Sequence, residues 1–385
     1  MSEKTYQIQT VVKTGNRVEA LVQTGEDTST IFFECDDTAL VPAREALVAL
    51  TLFPAMRAGA ELQVGGEVSK RVLGNLPSLQ EMVHTWMPGY FQPIPVTGFE
   101  PVEKKSRGAV RVGSFFSGGV DGWYTLLKHR DEITDLILVW GFDIPLDKSA
   151  LFEQARQSAQ RVANEMGKNL VVVKTNLREI LDPLVPWKWM HGSGMAAVAN
   201  VLSAEFQRIY ISTSQWHGNQ PANGSHILLD PLWSPESLEL VHEGLEATRL
   251  EKIRVVAQHD IALQTLRVCY LNLWGAYNCG RCEKCLRTMV ALQIVGALER
   301  CTTFRVPIDT RRIRQLRFLD RYYGIYNLEN LHALAKQPWN RDLYLAVRYM
   351  LTRFYIKEFL LKMNELHPRF KFGTGRWEKK IGKME

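Results

Sequence analysis

"SFFSGGVDG", Ser114 to Gly122, lies between an apolar run and a second, helix-like one. Its flanks read as a strand, "VRVGSFF", and a helix, "VDGWYTLLKHRDEI". A glycine pair between a strand and a helix lets the backbone turn sharply and approach a neighbour closely. Toward the C-terminus the pattern recurs. "DLILVWGFD" is a strand, and "SALFEQARQSAQRVANEMG" is a helix ended by Gly167. "NLVVVKTN", "MAAVANVLSAEF" and "RIYISTS" continue as strand, helix and strand. Near-continuous apolar strands with helices between them predict an α/β fold whose parallel sheet is covered on both faces. Such sheets bind ligands at the carboxyl ends of their strands.

Gly118 and Gly119 therefore stand at a ligand edge. The start of the following helix presents unpaired N–H groups and the positive end of its dipole. Together with a glycine turn these make an anion site, most naturally for phosphate. Ser117 adds a hydroxyl donor. Asp121 suits a helix cap or a metal bound to the anion better than a bare phosphate. A tight turn without a ligand is the plainer alternative, because glycine pairs alone are weak evidence.

The rest of the chain divides by composition. At 385 residues two or three domains are expected. Residues 1–90 read as a β-rich N-terminal domain, with "TYQIQTVVKT", "RVEALVQTG" and "STIFFECD" separated by turn signals. Residues 91–109 are rich in proline and glycine and read as a linker. Residues 110–303 hold the α/β pattern and the cysteine cluster described next, and 304–385 read as helical. That last region is basic: Arg305 to Glu385 contains 18 Lys/Arg and 8 Asp/Glu, so the remainder of a chain with net charge +6 sums to −4. Such a surface suits RNA, an anionic substrate or a membrane face, and equally a solvated helical surface. No apolar leader opens the sequence and no 18-residue apolar run occurs, which predicts a cytoplasmic protein with no membrane partner.

Thiols in the cytoplasm stay reduced, so six cysteines need another explanation. Four of them fall in "VCYLNLWGAYNCGRCEKCLRT": Cys269, Cys279, Cys282 and Cys285. C-x2-C-x2-C brings three thiolates onto one knuckle, and the upstream Cys269 completes a tetrahedron for Zn²⁺. Arg281, Lys284 and Arg287 offset the negative charge. An iron–sulfur cluster is the main rival, although a ferredoxin-type run would carry its fourth cysteine just after the third. Cys35 and Cys301 read as ordinary buried thiols.

"SGGVDG" after a strand resembles the S-G-G-x-D-S pyrophosphate loop of the PP-loop ATP pyrophosphatase superfamily. Ser117, Gly118, Gly119, Val120 (a free position) and Asp121 match, whereas Gly122 replaces the family's last Ser. The missing hydroxyl removes one donor, a term of about 0.5–1.5 kcal/mol. The cysteines narrow the likeness. Cys269-Tyr270, then Cys279-Gly280, Cys282, Cys285 and Arg287 are similar in order and spacing to the zinc site of the 7-cyano-7-deazaguanine synthases. The resemblance covers roughly Val110 to Cys301, and implies an added N-terminal β domain and an added C-terminal helical region. It implies a Rossmann-like, adenine nucleotide alpha hydrolase-like sheet that uses ATP and Mg²⁺, with Zn²⁺ in the four-cysteine knuckle. Ser117 and Asp121 would be catalytic. Ser117 to Gly122 would hold the phosphates, and Phe142 and Asp143, at the end of the second strand, would lie by the adenosine. "WKWMHGSGMAAVANVL" would support nucleotide or substrate through His191, Gly192 and Ser193. Gly192 and Gly194 read as a second flexible helix start, at which Ser193 is placed to cap the helix or bind an anion. The family's P-G-R-N segment is absent there, which implies a different substrate.

Two further stretches carry polar candidates. "STSQWHGNQPANGSH" follows the fourth strand and offers Ser214, His217 and Asn219. "LVHEGLEATRLEKIR" reads as a charged helix face with His242, Glu243, Arg249 and Lys252, of which Arg249 is the one expected to reach a substrate. The resemblance implies transfer of AMP to a carboxylate or carbonyl oxygen of a small molecule or modified base. Pyrophosphate is released, and a nitrogen donor such as ammonia then displaces AMP. RNA thiolation, with RNA held by the basic C-terminal region, and a noncatalytic nucleotide-binding module are the alternatives. A homo-oligomer is the remaining partner expectation.

Overall fold

The computed structural model describes residues 5–105, 108, 110–317 and 321–366. Parts of the expected linker (106, 107 and 109) and of the expected helical region (318–320 and 367–385) lie outside them. The chain forms two compact units, Met1–Tyr277 and Asn278–Glu385.

The first unit opens with three antiparallel strands, β1 (Thr5–Thr14), β2 (Arg17–Thr24) and β3 (Asp27–Glu34). Helix α1 (Arg44–Ala58) follows, then β4 (Glu61–Gln63), β5 (Glu67–Ser69) and α2 (Lys70–Trp86). Twelve residues in a row, Glu45 to Met56, are buried in α1, so this helix is enclosed on all sides rather than amphipathic. Short strands β6 (Val96–Thr97) and β7 (Glu100–Val102) come next, within the stretch read as a linker.

The α/β alternation then appears as expected. It runs β8 (Arg111–Phe115), α3 (Val120–Lys128), β9 (Asp135–Trp140), α4 (Ser149–Met166), β10 (Asn169–Thr175), α5 (Leu177–Leu181), α6 (Trp187–Val201) and β11 (Phe206–Ser212). A fifth strand, β12 (Glu239–Glu243), and helices α7 (Arg249–Val256) and α8 (Asp260–Thr265) close the unit. The five strands are parallel and lie in the order β12-β11-β8-β9-β10. β8 is therefore central, and the chain reverses direction across the sheet between β10 and β11. The fold is α/β with a mostly parallel central sheet.

The N-terminal strands do not form a sheet of their own. β3 pairs antiparallel with β10 (Lys174 with Glu34, Thr175 with Phe33), so one ten-stranded sheet runs through the unit. Side chains reinforce the seam: Phe32 N–H donates to Asn176 Oδ1 at 3.0 Å, and Asn176 Nδ2 donates to the Thr30 carbonyl at 2.9 Å. Glu236 accepts from Ser69 Oγ and from the Arg71 N–H, both at 2.8 Å. The apolar faces of β2, β3 and α1 share one core with β10, α6 and β11. The proline-rich stretch is thus folded into the same unit, because its β6 and β7 complete ladders with β4 and β5.

The second unit is helical: α9 (Glu283–Ile294), α10 (Thr310–Gln315), α11 (Arg321–Leu334) and α12 (Arg341–Leu366). Asn330 Nδ2 donates to the Arg287 carbonyl at 3.1 Å and Gln337 Nε2 to that of Ile294 at 2.9 Å, tying α11 and its end to α9. Among the described residues no helix is long and apolar enough to cross a membrane.

Candidate functional site

Residues 116–119 join the central strand β8 to α3. Gly118 has φ +78°, a left-handed conformation that favours glycine. A Cβ there would stand 3.3 Å from the Thr265 carbonyl oxygen and 3.4 Å from Arg267 Cβ. The Gly118 carbonyl in turn accepts the Arg267 N–H at 2.8 Å. Gly119 differs: its φ is −75°, and a Cβ would meet nothing closer than Ser117 Oγ at 3.6 Å. Gly119 is the N-cap of α3 and supplies no side-chain cap. The helix thus begins at the end of β8 with no side-chain cap from its N-cap residue, beside the exposed Ser117.

Asp121 turns from the loop toward α7. Its carboxylate lies 2.9 Å from Arg249 Nη1 and 3.8 Å from Lys252 Nζ. Both cations are buried. Thr248 starts α7 with a capping box to Glu251, which fixes the turn from which Arg249 and Lys252 project. Lys252 Nζ also donates to the Thr213 carbonyl at 2.5 Å, just beyond β11. Beyond β12, Gly244 has φ +100°, and a Cβ there would come within 3.1 Å of the same ammonium. The lysine thus threads between the carboxyl ends of β11 and β12. Burial pushes its pKa below the ordinary lysine range, against the pull of Asp121. Asp121 therefore faces two buried cations.

Phe142 and Asp143 follow β9 at the same edge of the sheet. Their carbonyls are engaged: Phe142 accepts from Arg178 Nη1 at 2.8 Å and Asp143 from Asn272 Nδ2 at 2.7 Å. The Phe142 ring packs edge-on against Trp187 at 4.9 Å. Asn272 Oδ1 accepts from Arg267 Nη2 at 2.7 Å. A chain of polar contacts therefore runs from the end of β9 through Asn272 and Arg267 to the glycine loop.

His191, Gly192 and Ser193 depart from the sequence reading. They lie in the second turn of α6, which starts four residues earlier at Trp187, so they form no flexible helix start. Gly192 is there for packing: a Cβ would fall 2.0 Å from the Gly224 carbonyl oxygen. Ser193 is buried and its hydroxyl donates to the Met190 carbonyl at 3.0 Å, so it neither caps a helix nor faces an anion. His191 is partly buried and its Nδ1 lies 3.1 Å from the Lys188 carbonyl; burial pushes its pKa down.

The cysteines come together as expected. The sulfurs of Cys269, Cys279, Cys282 and Cys285 all lie within 4.8 Å of one another, and all four residues are buried. Cys279 Sγ and Cys285 Sγ are 3.9 Å apart, close to the edge of about 3.8 Å of a tetrahedron with metal–sulfur bonds of about 2.3 Å. Backbone N–H groups of Arg281 and Cys282 point at Cys279 Sγ (3.4 and 3.3 Å), and that of Cys285 at Cys282 Sγ (3.4 Å). Such donors stabilise thiolates. Gly280 makes the knuckle, with φ +61° and Val306 so near that a Cβ would lie 2.2 Å from its Cγ2. The four thiols are placed to hold one metal ion such as zinc. Arg287 pairs with Glu283 at 3.4 Å and stacks on Tyr326 at 4.3 Å. Cys35 and Cys301 are buried, as expected.

The chain matches no protein-family model, no curated protein and no solved structure.

Several residues at the sheet edge escape a sequence reading. "ELVHE" (239–243) is strand β12 and not a charged helix face. Its His242 is buried, and Nδ1 lies 2.7 Å from Asp230 Oδ2, which also accepts from Ser225 Oγ at 2.6 Å. Within the loop after β11, His217 is exposed, while Thr213 and Gln215 are buried. Lys252, a candidate in the sequence, stands three residues after Arg249 and so on the same helix face; its burial is what the sequence does not show. Nothing local marks Arg267 or Asn272.

Proposed function

We propose that this chain is an ATP-using enzyme of the PP-loop type that activates a substrate oxygen as an adenylate and then forms a C–N bond. One observation carries the reading. The uncapped start of α3 follows a glycine turn at the strand where the order of the parallel sheet reverses, and two buried cations stand beside its first turn. The order β12-β11-β8-β9-β10 is that of doubly wound, Rossmann-like sheets, which bind nucleotides in the crevice at the reversal. The crevice lies between β8 and β11, between the glycine loop and Thr213.

In this reading the Gly119 and Val120 N–H groups and the Ser117 hydroxyl receive the β and γ phosphates. A substrate oxygen attacks the α phosphorus, the bond from that phosphorus to the β-bridging oxygen breaks, and pyrophosphate leaves with the electron pair. A nitrogen nucleophile then displaces AMP from the activated carbon. The protein contributes positioning and positive potential, not covalent chemistry. Arg249 and Lys252 supply fixed positive charge beside Asp121 in the first turn of α3. Asp121 holds these cations in place, and no step is assigned to Mg²⁺. The cysteine site fits Zn²⁺ as a structural ion, because four thiolates leave no open ligand position.

The test is pyrophosphate release from ATP by the purified chain with carboxylate and carbonyl substrates plus ammonia. Binding of ATP without turnover on any of them would favour a nucleotide-sensing module. Absence of ATP and pyrophosphate binding would end the reading.

A further inference from the structure

α12 buries one face within its own unit and leaves another bare. Leu343, Val347, Met350 and Phe354 are buried, whereas Leu345, Tyr349, Ile356 and Phe359 are 40%, 52%, 55% and 62% exposed. With the exposed Thr352 among them, the bare residues are spaced four, three, four and three apart. That is the a/d spacing of a two-helix seam, on a face where a solvated helix would be polar. Arg348 and Tyr355 precede the seam residues Tyr349 and Ile356, and the same seven-residue register continued outward gives Arg341 and Lys362. On the other flank Arg353 follows Thr352. These are the g and e positions, whose charges select a partner helix. α10 strengthens the basic side. Arg311 and Arg314 join Arg348, Arg353, Leu345 and Tyr349 in lining one groove, and among the described residues no Asp or Glu lines it. The groove is built, with Arg353 Nη1 donating to the Arg314 carbonyl at 2.9 Å and its guanidinium 5.6 Å from the Tyr349 ring.

We propose that this face of α12 docks an acidic amphipathic helix of a partner protein, with aliphatic residues at its a and d positions and glutamates at e and g. Charge excludes the nearer occupants. A second copy would set Arg341, Arg348 and Lys362 against basic residues of the same kind. Residues 367–385 of this chain carry six Lys/Arg and two Asp/Glu, the same sign as the groove. A nucleic acid would satisfy the arginines but would leave the aliphatic Leu345 and Ile356 without a matching surface. An apolar seam flanked by one sign of charge is what helix-in-groove recognition uses.

The test uses the full chain and a fluorescein-labelled 28-residue helix peptide with Leu and Ile at a and d and Glu at e and g. A peptide with Lys at e and g, and a 20-nucleotide oligouridine, are the comparators. Anisotropy should show binding of the acidic peptide, weaker at higher salt, and little binding of the lysine peptide. Ile356→Asp should weaken the acidic peptide at least tenfold without lowering Tm, since Ile356 is exposed. The double variant Arg348→Glu, Arg353→Glu should reverse the preference, binding the lysine peptide instead. The proposal is overturned if the acidic peptide does not bind, or binds Ile356→Asp equally well. Tighter binding of oligouridine than of the peptide would make the surface a nucleic-acid site. A concentration-dependent dimer abolished by Ile356→Asp would make it a self-association seam.

Discussion

Gly118 and Gly119 are adjacent, yet the structure assigns them different tasks, and substitution separates these. Gly118→Ala forces a β-carbon into a left-handed conformation, a cost of about 1–2 kcal/mol. It also presses that carbon to 3.3 Å from the Thr265 carbonyl. Both effects act without any ligand, so Tm should fall; about 2–4 °C per kcal/mol is the scale for a domain of this size. Gly119→Ala meets neither obstacle, with φ −75° and its nearest new contact at 3.6 Å. Its Tm should stay within the range of neutral substitutions, about ±0.5 kcal/mol. If backbone at residue 119 approaches phosphate, though, the same β-carbon intrudes on the ligand. Gly119→Val, which is larger, should lower affinity for ATP and pyrophosphate at least tenfold, about 1.4 kcal/mol. Isothermal titration with each ligand, beside melting curves without nucleotide, reads both quantities. Unchanged affinity in Gly119→Val would refute the reasoning and reduce the stretch to a turn.

Gly122→Ser restores a hydroxyl at the first turn of α3 and should tighten pyrophosphate binding modestly. Its β-carbon would lie 3.3 Å from the Phe115 carbonyl, so a small loss of Tm should accompany the gain, and weaker binding would count against the phosphate assignment. The purified chain should carry about one zinc, measured by plasma emission. Cys282→Ser or chelation should lower Tm sharply, because structural zinc contributes several kcal/mol or more to folding; unchanged melting would dismiss the metal. Asp135 gives a pH test. Burial alone would raise its pKa, but hydrogen bonds from Arg111 and Thr134 outweigh this and hold it below its ordinary 3.8. A depressed carboxyl adds stability that is present above pH 3.8 and is lost as pH falls through the folded value. Urea unfolding should therefore show wild type ahead of Asp135→Asn at neutral pH, with the gap closing only below about pH 4; a gap independent of pH would refute the linkage.

The glycine loop and the cysteine cluster were legible because each is local. A glycine pair between apolar runs and a C-x2-C-x2-C spacing determine their own geometry over a few residues. Pairings between distant segments left no such mark. β12 was missed because "ELVHE" gains its strand character only beside β11, where Leu240 and His242 become buried. Gly192 read as loop because a glycine for close helix packing and a glycine for flexibility look alike until Gly224 is seen against it. Lys252 read as a solvated charge because burial beside Asp121 depends on where α7 lands. The separate N-terminal domain was inferred from proline and glycine content, which does not reveal that Glu34 meets Lys174.

That last pairing has a consequence for synthesis. About 140 residues separate the partners across β3 and β10. At 5–20 residues per second, β3 is made about 7–30 s before its neighbour exists. During that interval the nascent β1–β3 ribbon carries an open edge, the form from which chains recruit one another. "DTSTIFFE" begins with polar side chains and ends in Glu34, leaving only Ile31 to Phe33 as an adhesive segment. A chaperone that covers those three residues until β10 emerges would protect the whole sheet, and a fragment that stops short of β10 keeps the edge open indefinitely.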